Sequence, residues 1–209
     1  MKYANRLSDV SRKGVEYYDK NPDEFAEKLR DREPISDAHW LASRYHKKGK
    51  IVDAGCGIGV DSEFFAQQGM KVYAYDASSE MVKRSQERLS KYGVEVHYHG
   101  HHELRFKREE RADAILASAS LLFLDADDLK LALMAFSNAL KPNGIILASF
   151  KKGPRDDRLP DGRVYHNRTD VDLAWLAEMG NLEGLAVWER QDSLGRDLAW
   201  LTFVLRKRA

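Results

Sequence analysis

The chain has 209 residues, 43% of them hydrophobic and 32% charged, and a formal net charge of +1. That length can bury a sizeable core, the hydrophobic content excludes a disordered chain, and the balanced charge excludes a strong whole-protein field for nucleic acid. No apolar run approaches the roughly 20 residues of a membrane span, the opening Met1-Lys2-Tyr3-Ala4-Asn5-Arg6 lacks the apolar centre of a signal peptide, and a lone cysteine, Cys56, excludes an intrachain disulfide.

Residues 8–32 are polar and helix-prone, with Tyr17, Tyr18 and Phe25 on one helical face and Pro22 at a helix start after Asn21. Beyond Glu33-Pro34, Ser36 or Asp37 caps a helix over 37–47, which ends in a turn at 47–50. From residue 51 the rhythm is strand–helix–strand. A short apolar run from residue 51 ends in Asp53 and meets a glycine-rich turn and a helix over 61–68. A second strand, 72–75, ends in Asp76. A helix over 78–92 has Ser78 or Ser79 as cap and Gly93 as stop. Strands follow over 94–98 and 112–117, then an amphipathic helix over 126–140. Lys141-Pro142-Asn143-Gly144 reads as a turn before a fifth strand, 145–150. Residues 151–168 read as a loop, 170–179 as a helix stopped by Gly180, and 185–189 with 199–205 as an antiparallel hairpin turning near Ser193-Leu194-Gly195.

This order predicts an α/β fold, a doubly wound and mostly parallel sheet with a C-terminal antiparallel hairpin and an N-terminal helical cap. We expect one domain over 1–209. Residues 1–48 form the cap, 49–150 the core, and 151–209 a loop or lid with a helix and the hairpin. A reducing cytoplasm fits the cysteine usage.

The chemistry concentrates at strand ends, where sheets of this kind bind ligands. Asp53 closes the first strand, and Gly55, Gly57 and Gly59 follow at alternate positions around Cys56. Such a turn brings bare backbone N–H groups close to a ligand. Asp76 closes the second strand, placed to bind both hydroxyls of a ribose. Ser118-Ala119-Ser120 leaves room beside the fourth strand. The spacing is G-x-G-x-G, and Val60 stands where a dinucleotide fingerprint needs glycine.

Val52-Asp53-Ala54-Gly55-Cys56-Gly57-Ile58-Gly59 resembles motif I of the class I S-adenosylmethionine-dependent methyltransferases. Val72-Tyr73-Ala74-Tyr75-Asp76-Ala77-Ser78 resembles their second motif, Ala112-Asp113-Ala114-Ile115 their fourth-strand motif, and Leu140-Lys141-Pro142-Asn143-Gly144 the turn before their fifth strand. The resemblance runs from about residue 15 to the end, and is nearest to small bacterial enzymes of the tellurite-resistance-like and ubiquinone-biosynthesis-like type. It implies a Rossmann-like methyltransferase fold and S-adenosylmethionine as methyl donor. Gly55 and Gly57 would let the backbone pass the methionine and ribose portions, Asp53 would lie near the amino group, directly or through water, and Asp76 would bind the ribose hydroxyls. Ala77 and Met81 would flank the adenine, Ser118 would lie near the methionyl end, and Tyr18 would close over the donor. The family often places an acid after the third strand. Here His99-Gly100-His101-His102-Glu103 puts His101 in that place, and backbone groups of 101–102 would read the adenine edge.

The cluster His97, His99, His101 and His102 raises a metal site. Alternate strand residues sit about 6.5–7 Å apart, too far to chelate easily, and no Cys or acid with ligand spacing accompanies them. A pocket rim or ordinary strand histidines is the favoured reading, and no metal is expected. Loop 151–168 holds Lys151, Lys152, Arg155, Arg158, Arg163, Tyr165, His166 and Arg168, either as a solvated loop or as a lid favouring an anionic or polar small molecule. Asp156, Asp157 and Asp161 dilute its charge and weaken an RNA reading. Cys56 reads as a packed small residue, and Trp175, Trp188 and Trp200 as core.

The function expected is methyl transfer to a small molecule by in-line displacement. Tyr165, His166 and His102 are candidates only if a base is needed. Asn/Asp-Pro-Pro-Tyr/Phe, the mark of base or amide methylation, is absent after the fourth strand. A non-catalytic donor-binding module and a nicotinamide-dependent oxidoreductase are the alternatives. The acceptor and the oligomeric state are not readable.

Overall fold

Ser8 opens the first helix, α1 (Asp9–Lys20), by accepting a hydrogen bond from the Ser11 N–H. Asn21 separates it from α2 (Pro22–Leu29), whose first position is the proline that needs no N–H partner there. These helices and α3 (Ser36–Tyr45) precede an alternating core. That core comprises β1 (Lys50–Ala54), α4 (Val60–Gln67), β2 (Lys71–Asp76), α5 (Ser79–Leu89), β3 (Val96–Tyr98), β4 (Ala112–Ala117), α6 (Ala126–Ala139) and β5 (Leu140–Lys151). A short hairpin, β6 (Asp157–Arg158) and β7 (Val164–Tyr165), leads to α7 (Leu173–Met179), β8 (Leu182–Gln191) and β9 (Ala199–Lys207). The computed structural model describes residues 7–45 and 48–209. The opening hexapeptide, residues 46–47 of the expected third helix and the start of the turn after it lie outside the described residues.

The main sheet runs β3-β2-β1-β4-β5-β9-β8. Its first five strands are parallel, and β9 pairs antiparallel with both β5 and β8. This is the doubly wound, mostly parallel sheet expected, with its antiparallel strands at the C-terminal end. Alternation along the strands divides the apolar side chains between two layers. Val52, Ile115, Ile146 and Phe203 pack with α6 and α7 through Leu133, Phe136 and Leu176. Ile51, Leu116, Leu147 and Val204 pack with α3 and α4 through Leu41 and Phe65. The strand order reverses direction between β1 and β4, so a crevice opens beyond their carboxyl ends.

Two carboxylates fix the N-terminal helices, α1 beside that crevice and α3 against the sheet. Asp19, at the end of α1, accepts from Ser78 Oγ at 2.7 Å and Ser79 Oγ at 3.3 Å, at the start of α5. Asp37 in α3 is 1% exposed and accepts from Trp188 Nε1 at 2.9 Å and Thr202 Oγ1 at 2.7 Å.

Three expectations need correction. Residues 141–144 are not a turn ahead of β5. The strand already starts at Leu140, opposite Ala112, and the four residues bulge from the ladder, with Asn143 at φ 62°. Loop 151–168 contains the β6–β7 hairpin. Trp175 is exposed on α7, beneath the Arg168 guanidinium at 5.0 Å, whereas Trp200 is buried and Trp188 packs against the core. No helix among the described residues is long and apolar enough to cross a membrane.

Candidate active site

A cavity of about 490 Å³ lies beyond the carboxyl ends of β1, β2 and β4, a size that suits a small-molecule site. The sequence candidates Tyr18, Asp53, Gly55, Cys56, Gly57, Asp76, Ala77, Met81, His101, His102 and Ser118 all line it. Gly59 does not. It precedes α4 at φ 82°, and a Cβ there would press on Ser85 and Leu89, so its role is to pack α4 against α5.

The glycine turn is shaped by positive φ and close approach. Gly55 stands at φ 75° and Gly57 at φ 55°. A Cβ on Gly55 would lie 2.5 Å from Ser120 Cβ. The Gly55 and Cys56 N–H groups both donate to the Tyr75 carbonyl, tying the turn to β2. Gly57 N–H donates to Asp76 Oδ2 at 2.9 Å, and Ser78 N–H donates to Asp76 Oδ1 at 2.9 Å. Each oxygen keeps a lone pair for a further donor. Burial at the strand end raises this carboxyl to about 6 despite those two bonds.

Asp53 is nearly fully buried and accepts from Ser62 Oγ at 2.6 Å. Burial, followed by the nearby Asp61 charge, raises its carboxyl well above the usual range. Asp61 also lines the cavity, where it accepts from Arg32 Nη2 at 2.6 Å and from the Ile35 N–H at 3.1 Å. Sequence reasoning took Asp61 only as a helix start. Its partner Arg32 lies 29 residues away, beyond any local pattern.

The aromatic wall is equally specific. Tyr18 packs edge-on to Phe25 at 4.6 Å and to Phe123 at 5.7 Å, and burial raises its phenol far above the ordinary value. His101 meets the Tyr75 hydroxyl through Nδ1 at 2.9 Å, and burial lowers its ring to about 3, leaving it neutral. His102 holds a buried Nε2 without a hydrogen-bond partner. His97 stacks on Tyr73 at 4.2 Å and His99 on Tyr75 at 4.1 Å, so these two rings serve the β2–β3 edge. The Cys56 thiol is pushed well up by burial and is a poor nucleophile. Of the base candidates, Tyr165 lines the cavity. His166 instead turns to Asp156 at 2.9 Å, outside the wall.

Comparison with known proteins follows the same lines. A family model described as a methyltransferase domain matches residues 51–144. A malonyl-[acyl-carrier protein] O-methyltransferase of Hamiltonella defensa is 29% identical over 103 residues, which are 49% of this chain and 38% of the relative. The matched part spans less than half the length of each curated relative. A Burkholderia thailandensis 1,6-didemethyltoxoflavin-N1-methyltransferase, solved with bound 1,6-didemethyltoxoflavin and S-adenosylhomocysteine, superposes with a TM-score of 0.79 at 21% identity, covering 96% of this chain and 88% of that one. The [4+2]-cyclase SpnF superposes with a TM-score of 0.78 at 15% identity, covering 97% and 98%. That fold therefore carries more than one chemistry. A methyltransferase domain model thus matches residues 51–144 of this chain, and the chain shares its fold with solved S-adenosylmethionine-dependent methyltransferases.

Proposed function

We propose that this protein transfers a methyl group from S-adenosylmethionine to a small-molecule acceptor by direct in-line displacement. One observation carries the reading. The Asp76 carboxylate is held by two backbone N–H groups at the cavity wall, beside a turn where Gly55 leaves no room for a side chain. The donor set suits the methyl donor. Asp76 has lone pairs left for ribose hydroxyls, Ala77 and Met81 give apolar flanks for a base, and Asp53 offers acceptor oxygens to an amino group. The unpartnered Nε2 of His102 is a polar group at the same wall that a ligand would satisfy.

When bound, S-adenosylmethionine supplies a sulfonium-activated methyl group. The protein then has to bind, orient and exclude water, and orientation alone can supply several kcal/mol of the barrier. Gly55 and Gly57 let the donor approach the backbone. Tyr18, anchored through its neighbour Asp19 to α5, shuts the cavity from the cap side. Tyr18 keeps its proton and His101 is a weak base, so neither serves as a general base. In this reading residues 1–48 are the cap, 49–150 the donor-binding core, and 151–209 the lid and acceptor wall of one unit. A cytoplasmic setting and an acceptor other than nucleic acid complete the reading.

Release of S-adenosylhomocysteine tests it. Purified protein given S-adenosylmethionine and a panel of small acceptors should form that product, and Asp76→Ala should form at least tenfold less. Donor binding with no product across the panel would favour the non-catalytic module instead. The nicotinamide alternative meets Val60, a buried residue opening α4, where its fingerprint needs glycine.

A further inference from the structure

The cavity wall carries both acids and cations. Asp53 and Asp76 line it at the glycine turn. Lys151, Arg163 and Arg190 also line it, and the carboxylates they pair with do not. Lys151 bonds Asp157, Arg163 bonds Asp161 at 2.8 Å, and Arg190 Nε lies 3.4 Å from Asp37, all three acids being outside the wall. Arg32 and Arg196 differ, because their partners Asp61 and Asp192 share the wall with them. These three cations therefore reach the wall with their paired acids set back from it, and Arg190 also lies in the field of Asp61 and Arg32.

Sheet register arranges part of this charge. Lys151 on β5 stands opposite Trp200 on β9, and Trp200 stands opposite Arg190 on β8. Paired residues project from the same face of a sheet. The result is a row of cation, indole and cation across three strands, and all three side chains line the cavity. Trp200 is held by its N–H, which donates to Asp192 at 2.8 Å, and the Arg190 guanidinium lies 5.3 Å from its ring.

Arg190 is the best placed of the cations. Its side chain is only 10% exposed. Its Nη2 donates to Ser149 Oγ at 3.3 Å, and its buried Nε faces Asp37 Oδ2 at 3.4 Å. Asp37 balances its charge but already accepts from Trp188 and Thr202. Ser149 Oγ in turn accepts from the Ala119 N–H, the residue after Ser118. The guanidinium therefore sits beside the fourth-strand end, next to the donor half. With Asp37 on its Nε side and one long bond to Ser149, the guanidinium keeps N–H donors on its terminal nitrogens that a carboxylate can take.

We infer that the methyl acceptor is a planar aromatic carboxylate, its carboxylate held by Arg190 and Lys151 and its ring laid against Trp200. Its role as acceptor rests on the methyl-transfer reading, whereas the anion preference stands on the wall itself.

The test is calorimetry with benzoate, 4-hydroxybenzoate and quinoline-2-carboxylate, each against its carboxamide, with and without saturating S-adenosylhomocysteine. At least one carboxylate should bind tenfold or more tightly than its amide. Arg190→Gln should lose at least tenfold of that affinity. Lys151→Met, whose partner Asp157 is a surface residue, should lose severalfold, and both should bind S-adenosylhomocysteine within twofold of wild type. Equal binding of acids and amides, no binding of any carboxylate, or undiminished binding in a folded Lys151→Met together with Arg190→Gln would overturn the inference. Failure of S-adenosylhomocysteine to bind would overturn the donor reading alone, and the acid–amide comparison without it would still decide the anion site.

Discussion

Adding one methyl group at residue 55 measures how closely the glycine turn is fitted. Gly55 and Gly93 both occupy left-handed backbone, at φ 75° and φ 68°. That conformation costs an L-residue about 1–2 kcal/mol. A Cβ on Gly93 meets nothing within 4 Å, so Gly93→Ala should lose about that much and no more. A Cβ on Gly55 meets Ser120 Cβ at 2.5 Å and His101 Cε1 at 3.3 Å. Ser120 cannot swing away freely, because its hydroxyl donates to the Ala54 carbonyl at 2.7 Å. Overpacking of this kind adds about 1–3 kcal/mol. Gly55→Ala should therefore lose about 2–5 kcal/mol in urea unfolding, against about 1–2 for Gly93→Ala. Ser120→Gly placed on Gly55→Ala should recover part of the difference. Equal losses at residues 55 and 93, with no recovery, would refute the close fit.

The raised Asp76 carboxyl makes the unliganded protein pH-sensitive. The folded state holds this proton more tightly than the unfolded chain, so the contribution is full below pH ~4 and is lost as pH rises through about 6. About two pH units at ~1.4 kcal/mol each give a loss of about 3 kcal/mol, and Asp76→Asn should flatten the unfolding free energy across that window. Donor affinity should move the other way, tightening as Asp76 ionises, when followed by titration at pH 5 and pH 7.5. Asp37→Ala leaves Trp188, Thr202 and Arg190 without their shared acceptor and should cost about 3–5 kcal/mol by urea unfolding. Cys56 should react with Ellman's reagent at least tenfold more slowly in the native protein than in urea, and more slowly still with S-adenosylhomocysteine present.

The residues that announce themselves in the sequence are those whose structural cause is local. An apolar run, three alternate glycines and an acid one strand later define β1, its turn and Asp76 without reference to the rest of the chain. Ser78 and Gly93 bound α5 and the short helical turn after it for equally local reasons, a side-chain cap and a left-handed stop. The cation-bearing part of the wall depends on long-range pairing. Lys151 and Arg190 become neighbours of Trp200 only because β9 inserts between β5 and β8. A hairpin read from sequence pairs β8 with β9 but does not say which of them joins the sheet. Asp37 looks like a helix cap until the fold brings Trp188 and Thr202 to it from more than 150 positions away. Gly59 belongs to the same visible motif as Gly55, yet it serves helix packing, a distinction that spacing does not encode. Trp175 shows the converse error, since aromatic character on a helix does not reveal which face is covered.

In the proposed function Asp76 and the glycine turn hold the methyl donor. Isothermal titration of the wild-type protein and Asp76→Ala with S-adenosylmethionine decides whether they do. The structure predicts one saturable site on the wild type and at least tenfold weaker binding once the carboxylate is gone. No binding by the wild type, or unchanged affinity in a folded Asp76→Ala, would contradict that reading.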